Sequence, residues 1–314
     1  MRMPDISDYD KLNYDYSQYW QERLYENLAE KNLLNKIFQN QRGKWFLDVG
    51  GSYGRIASTY YDSYKNPVIL DYSLKTLIKN KDVIKSRYPK ITLIAANAYK
   101  MPFKENSFDG GLMVRVLHHI EKPEEYFKEA RRVFKKDATY VQEFANKVHI
   151  KAKIKALLRK DFEFFSEKPY EQPIGKNLEG SKKEEGGIFL NYHPANIKYL
   201  LEKNKFTIER KFGCSFLRSQ SIKNLLGTSL MVFIEKVLQK TLSWTNIPPS
   251  IFFKTTLQKK TLEKGADESS NLKDILACPS CKGDLTFEGE DYAKCKKCNL
   301  EFSKKNDIWD FRIE

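Results

Sequence analysis

The stretch LDVGGSYGR, residues 47–55, restricts the fold more than any other, because it closes a strand-like run and opens a helix on glycines. It is the first turn of a series. WFLDV, PVILDY, ITLIAA, FDGGLMV and ATYVQEF are short runs of strand character, separated by helical stretches such as residues 73–86 and 124–134. Strands alternating with helices of that length predict an α/β, doubly wound parallel sheet with helices on both faces. In such a sheet a glycine loop between strand and helix is where the anionic end of a ligand meets backbone N–H groups. A dinucleotide site has glycines at the first, third and sixth places, where this chain has Gly50, Ser52 and Arg55. Its own spacing is Asp-x-Gly-x-Ser-x-Gly, carried by Asp48, Gly50 and Gly54.

Around this unit the chain divides into four parts. Residues 1–40 are rich in aromatics, and Trp20, Leu24, Leu28, Leu34 and Phe38 fall mostly at helical spacing, which predicts an N-terminal helical lid. Residues 41–263 form the main domain. It includes a predicted helix over 196–204, a strand over 206–212 and a last strand over 250–257. Leu230, Phe233, Ile234, Val237, Leu238 and Thr241 share one side of an amphipathic helix between Gly227 and Trp244. Residues 264–271, KGADESSN, have a linker composition, and residues 272–314 form a separate small module.

The cysteines define that module. Cys278, Cys281, Cys295 and Cys298 form two Cys-x2-Cys knuckles with thirteen residues between them. Four thiolates so spaced match a closed tetrahedral structural zinc site. Cys214, with no partner spacing, reads as a small buried residue.

Charge is unevenly spread. Lys and Arg number 55 against 41 Asp and Glu, a formal net charge of +14. Residues 273–314 carry a net −1, so the first 272 residues carry +15. The densest run, Lys147 to Lys160, has six Lys or Arg and no acid. Lys151, Lys153, Lys155 and Arg159 in it are candidate RNA phosphate contacts. KAKIKALL in the same run has helical apolar spacing, which keeps a membrane surface or an apolar acceptor pocket open. With 41% hydrophobic residues the chain can bury a core, which excludes global disorder. The most apolar stretch, Leu225 to Trp244, is interrupted by Glu235, Lys236 and Lys240, so no transmembrane segment is predicted. Asp5, Asp8 and Asp10 break the pattern of a secretory signal, and the expectation is a soluble, cytoplasmic protein.

The glycine loop does not stand alone. VILDYS, ANAYKMPFKENSFDGGLMVRVLHHI and EEYFKEARRVFKKDATYVQEF follow it in order. Together they resemble the class I S-adenosylmethionine-dependent methyltransferases, most nearly the methyltransferase-11 group, whose segments are often written GDAxxLPFxDxSFD, LHH and ExxRVLKPGG. The likeness runs from about Lys44 to Phe144 and implies a Rossmann-like sheet binding S-adenosylmethionine. It also implies roles. Gly50, Gly51 and Ser52 would bring N–H groups to the methionine moiety, Gly54 completes the loop, and Asp48 lies near the ammonium. Asp71 would accept from the ribose hydroxyls, with Tyr72 against the adenine. Asn97 would accept the adenine amino group through its amide oxygen, and Ala98 would offer its N–H to the ring. Arg115 would face the methionine end or the substrate mouth. His118 and His119 are weak candidates for a base or substrate ligand. Ser52, Asn97 and Lys136-Asp137 depart from the family, which has Gly, Asp and Gly-Gly there.

The module LKDILACPSCKGDL…CNLEFSKKNDIWDF resembles the Trm112-like zinc-ribbon proteins. In that family a small free-standing protein activates class I methyltransferases acting on tRNA, ribosomal RNA or a translation release factor; here the two would be fused, the ribbon docking intramolecularly with Zn2+ as its structural ion. The resemblances imply methyl transfer, with RNA as first acceptor and a small molecule or lipid or quinone precursor as second. A catalytically inactive binding protein is the third reading. VRVLHHI stands where amino-methylating enzymes carry an asparagine-proline-proline-tyrosine type tetrad, which disfavours exocyclic-amine and glutamine methylation.

Overall fold

The computed structural model describes residues 10, 19–20, 22–171, 189–259 and 271–313. Residues 1–9, 11–18 and 21 of the expected lid and 264–270 of the linker therefore lie outside the described residues. Five parallel strands form the centre: β1 (Gly43–Val49), β2 (Tyr64–Asp71), β3 (Thr92–Ala95), β4 (Phe108–Met113) and β5 (Phe134–Ala145), in the order β3-β2-β1-β4-β5. They are apolar almost throughout because both faces are covered. Alternation along β1 sends Trp45, Leu47 and Val49 into one core and Phe46 into the other. The Phe46 core is closed by α1 (Leu24–Phe38), with Leu33, Leu34 and Phe38, and by α2 (Leu74–Arg87), with Leu74, Leu77 and Ile84. The Trp45 core is closed by α3 (Pro123–Val133), with Tyr126, Phe127, Ala130 and Val133. The sheet is thus doubly wound and Rossmann-like, as the alternation predicts, but the glycine loop leads into a single 3-10 turn (Ala57–Thr59) where a helix is expected.

After β5 come α4 (Ile150–Leu158), the short pair β6 (Tyr170–Glu171) and β7 (Leu190–Asn191), and α5 (Pro194–Lys203), which also covers the Trp45 core. Next are β8 (Phe206–Cys214), α6 (Gln220–Thr241) and β9 (Ser250–Leu257). β9 pairs antiparallel with β5, and β8 antiparallel with β9, extending one end of the sheet. Cys214 is fully buried.

The other end is extended by the cysteine module. Its strands β10 (Leu285–Glu288), β11 (Tyr292–Cys295) and β12 (Glu301–Lys305) form an antiparallel meander, and β13 (Ile308–Asp310) then lies parallel to β3. Trp309 pairs with Ile94 and Asp310 with Ala95, so eleven strands make one sheet. A second seam holds the module too: Lys104 N donates to Ile275 O and Ala277 N to Pro102 O. Lys282 Nζ reaches Glu129 Oε1 at 2.7 Å. Leu276, Phe302, Trp309 and Phe311 share one core with Phe103 and Trp45. The module is part of the main core, and a tether alone does not describe it.

α6 departs from ordinary packing. Its amphipathic character is real, but the apolar stripe faces outward: Leu230, Phe233 and Val237 are exposed, while Glu235 and Gln239 are buried. Glu235 accepts from Ser215 N at 2.7 Å, Phe216 N at 3.0 Å, Gln239 Nε2 at 3.0 Å and the Tyr25 hydroxyl. The backbone where β8 ends needs acceptors once buried, and a polar helix face supplies them. That need decides the helix's rotation. The helix also kinks at Gly227, whose φ of 66° no side chain favours.

Candidate active site

The glycine loop crosses the top of β1 and β2. Gly50 has φ +74°, and a Cβ there would lie 2.3 Å from Val116 Cγ2, so both its conformation and its surroundings demand glycine. Gly50 N donates to Leu70 O at 2.7 Å, and Gly54 N to Gly51 O at 2.8 Å. Ser52 holds φ +47°, a left-handed conformation that costs a residue with a Cβ roughly 1 kcal/mol. Its N–H donates to Asp71 Oδ2 at 2.9 Å, so it does not point at a methionine group as the resemblance implies. Of the three loop residues assigned to that task, Gly51 remains. Asp137, in the other departure from the family, likewise takes φ +61°.

Two carboxylates lie beneath the loop. Asp48 is 1% exposed and accepts from the Tyr60 hydroxyl at 2.8 Å. Burial pushes its carboxyl up to about 7, against the hydrogen bond from Tyr60 and the charge of Arg55. Asp71 ends β2 and ties two turns together, accepting from Ser52 N and, at 2.9 Å, from Ser73 N. Burial raises it to about 6, opposed by those N–H groups. Each of its oxygens keeps a lone pair for a further donor. Tyr72 follows it, with the Arg312 guanidinium 5.8 Å from the ring centroid.

Asn97 is buried, and its amide can donate as well as accept, since Oδ1 keeps a second lone pair. Its Oδ1 accepts from Tyr99 N at 2.9 Å, which fixes the amide and leaves Nδ2 with no hydrogen-bond partner. A buried unpaired amide donor costs ~1–3 kcal/mol, and a ligand acceptor is the natural remedy. The residue is therefore set to donate. Ala98, beside it, is partly buried against the Trp45 core.

Arg115 is held by two glutamates. Its backbone takes φ +62°, its N donates to Glu143 Oε2 at 2.8 Å, and its Nε to Glu30 Oε1 at 2.8 Å. Arg55, next after Gly54, donates to Glu30 Oε2 at 2.7 Å and stacks 3.7 Å from the Trp20 ring. Burial alone would raise the Glu30 carboxyl; Arg115 and then Arg55 reverse this and hold it low. One buried glutamate of α1 thus fastens the glycine loop and the end of β4 to the N-terminal helix. Sequence reading missed Glu30 and Glu143. The available signal was Glu26 and Glu30, four residues apart, interrupting the apolar side of α1.

His118 and His119 sit together in a short turn after β4, ring centroids 3.9 Å apart, with Phe189 4.2 Å from His118. Burial first, then His119 and Arg115, hold the His118 imidazole well below the usual histidine range, so it is neutral near pH 7. A second missed link lies on the Tyr72 side. Asp10 Oδ1 accepts from the Ser73 hydroxyl at 2.6 Å, and its Oδ2 from Arg312 Nη1 at 2.7 Å. The last residues of the cysteine module reach the turn behind Asp71.

The four cysteines fit a metal. All four Sγ atoms lie within 4.8 Å of one another. Cys278–Cys298 and Cys281–Cys295 are 3.5 and 3.4 Å apart, too long for a disulfide and near the edge of a tetrahedron with ~2.3 Å zinc–sulfur bonds. Lys297 N and Cys298 N donate to Cys295 Sγ at 3.4 and 3.5 Å, which suits a thiolate. Zn2+ bound there would lock the knuckles as a structural ion.

The candidate phosphate contacts Lys151, Lys155 and Arg159 are exposed on and just after α4, with Lys153 half-buried. Exposed Ile154, Leu157 and Leu158 lie among them.

Residues 47–141 match the Methyltransf_11 family model, described as a methyltransferase domain. MJ0638 of Methanocaldococcus jannaschii, an uncharacterized protein, is 31% identical over 164 residues, 51% of this chain and 63% of its own. The demethylmenaquinone methyltransferase of Renibacterium salmoninarum is 36% identical over 93 residues, 30% of this chain and 38% of its own. In both cases the chain covers less than two thirds of the relative's length. Among solved structures, the complex of the Haloferax volcanii Trm112 methyltransferase activator with a candidate methyltransferase matches with a TM-score of 0.54 at 11% identity. It covers 82% of this chain and all of that one, a likeness of fold. Residues 47–141 therefore carry a methyltransferase domain on a Rossmann-like sheet.

Proposed function

We propose that the protein transfers a methyl group from S-adenosylmethionine to a small organic acceptor. The observation that carries the cofactor assignment is the buried, unpaired Nδ2 of Asn97, set beside Asp71 and the glycine loop within the methyltransferase domain. Asn97 would donate to a ring nitrogen of the adenine, Asp71 would accept the ribose hydroxyls, and Asp48 with Gly51 would hold the methionine end. S-adenosylmethionine supplies an electrophilic methyl on a sulfonium, and the leaving group becomes neutral. This chain's residues then have to orient an acceptor and exclude water, and orientation alone reaches ~7–11 kcal/mol in favourable cases. Trp20, stacked on Arg55 and held through Glu30, closes the loop from the N-terminal side. Neutral His118 could accept a proton from an acceptor that arrives protonated.

Likeness to a demethylmenaquinone methyltransferase favours a small acceptor over a folded RNA. RNA is the second reading, favoured by the +15 on the first 272 residues. In both, the cysteine module acts as a Trm112-like ribbon that supports the catalytic domain through β3. Transfer of labelled methyl to RNA, protein and small-molecule extracts in parallel tests the choice. Label in the organic extract supports the first reading; label confined to RNA replaces it with the second. Calorimetry showing no S-adenosylmethionine binding at millimolar concentration would leave an inactive binding protein.

A further inference from the structure

The outward stripe of α6 continues past the helix. Leu225, Leu230, Phe233 and Val237 are exposed along it, and Trp244, 79% exposed, follows its end. Ile150 N then donates to Ile247 O at 3.1 Å, joining this segment to the start of α4. On α4 the pattern repeats: Ile150, Ile154, Leu157 and Leu158 are exposed at helical spacing, and Phe162 beyond them is 72% exposed. Cations flank both stripes: Lys151, Lys155, Arg159 and Lys160 on one, Lys236 and Lys240 on the other. From Gln220 to Lys259 the sole acid is Glu235, and it is buried. Six or more large apolar side chains in water, ringed by lysines and with acids only beside Phe162 (Asp161 and Glu163), form the composition of an interfacial surface.

We propose that the joined face of α4 and α6 seats the protein on an anionic lipid bilayer. Charge complementarity selects this occupant. Lysine stems run along the apolar side chains and their heads meet lipid phosphates, while Trp244 lies at the level of the headgroups. A second copy of the chain would bring the same cations against each other. RNA would pair with the cations but leave the aliphatic side chains in water. The inference goes beyond the proposed reaction and is independent of it, since it concerns adhesion alone.

The four tryptophans supply the probe, because Trp20, Trp45 and Trp309 are buried and Trp244 is not. Full-length protein should co-sediment with phosphatidylcholine vesicles containing phosphatidylglycerol. Its tryptophan emission should shift to the blue, and Trp244→Phe should remove the shift. Replacing Lys151, Lys155 and Arg159 together by glutamine should weaken binding about a hundredfold at low salt, since each surface cation contributes about a fivefold factor. These side chains are exposed, so retained circular dichroism separates lost adhesion from lost folding. The proposal is overturned by absence of anionic-vesicle binding, by equal binding to phosphatidylcholine alone, or by a Trp244 shift that follows protein concentration without lipid. Binding of RNA but not vesicles, abolished by the same triple change, would assign the face to nucleic acid instead.

Discussion

The β3 edge and the β8 edge of the main-domain sheet solve the same problem in opposite ways. At the β3 end the cysteine module adds a strand and turns Trp309, Phe311 and Phe302 inward onto the shared core. At the β8 end α6 turns Glu235 and Gln239 inward and leaves Phe233 and Val237 in water. The difference lies in what each edge needs. β3 presents unpaired backbone along its side, which another strand meets at Ile94 and Ala95. β8 presents the buried amides of Ser215 and Phe216 at its tip, which only a side-chain acceptor reaches. Hydrogen-bond satisfaction prevails over apolar burial there, and the apolar surface stays exposed.

The largest expected effect is at the β3 end. Cys278→Ser, or removal of the metal by a chelator, should unfold the module outright, because a structural zinc site of this type contributes ~10 kcal/mol or more. Loss of Trp309 fluorescence burial and of solubility would report it. A chain that stays folded and soluble would mean that strand pairing alone holds this edge, breaking the contrast. Next comes a pair of changes on α6. Glu235→Ala leaves Ser215 N, Phe216 N and the Tyr25 hydroxyl without their acceptor and should cost about 3 kcal/mol in urea denaturation. Phe233→Ser should change stability by no more than about 0.5 kcal/mol. Equal losses would show that the outward stripe is packed after all.

Cofactor affinity should depend on pH. Asp48 near 7 and Asp71 near 6 are raised in the free protein, so their contribution to its stability is fully present below the ordinary carboxyl value near 4. That contribution fades as pH rises through 6–7. Ligand binding runs the other way: it needs the ionised forms, so S-adenosylmethionine should bind more tightly from pH 6 to pH 8, by up to about tenfold per unit where one proton must leave. Calorimetry in buffers of different ionisation enthalpy should detect the released protons. The smallest effect sharpens the comparison most. Arg312→Ala frees Asp10 and loosens the turn behind Asp71, and should weaken cofactor binding by about fivefold, near 1 kcal/mol, with zinc content unchanged. Val237→Ser should leave it unchanged. A shift with Val237→Ser instead would place the coupling at the wrong end of the sheet.

What the sequence made legible was local. Strand β9 over residues 250–257, the four-cysteine spacing and the turn carrying Asp48 and Gly50 depend on neighbours a few residues apart. What it hid depends on partners far along the chain. The amide of Asn97 is oriented by Tyr99 N, which composition does not reveal. The attachment of Arg115 to Glu30 spans 85 positions, and that of Arg312 to Asp10 spans 302. The stripe on α6 was visible, but its direction was set by two amides at the tip of β8.

The pairing of β13 with β3 also has a consequence in time. Ala95 leaves the ribosome about two hundred residues before its partner Asp310, roughly 10–40 s at ~5–20 residues per second. Throughout that interval the nascent sheet has an open side that any extended peptide can join. The cover for this edge is encoded about two hundred residues after it, so a chain cut short before that point is the species most prone to pair with its neighbours.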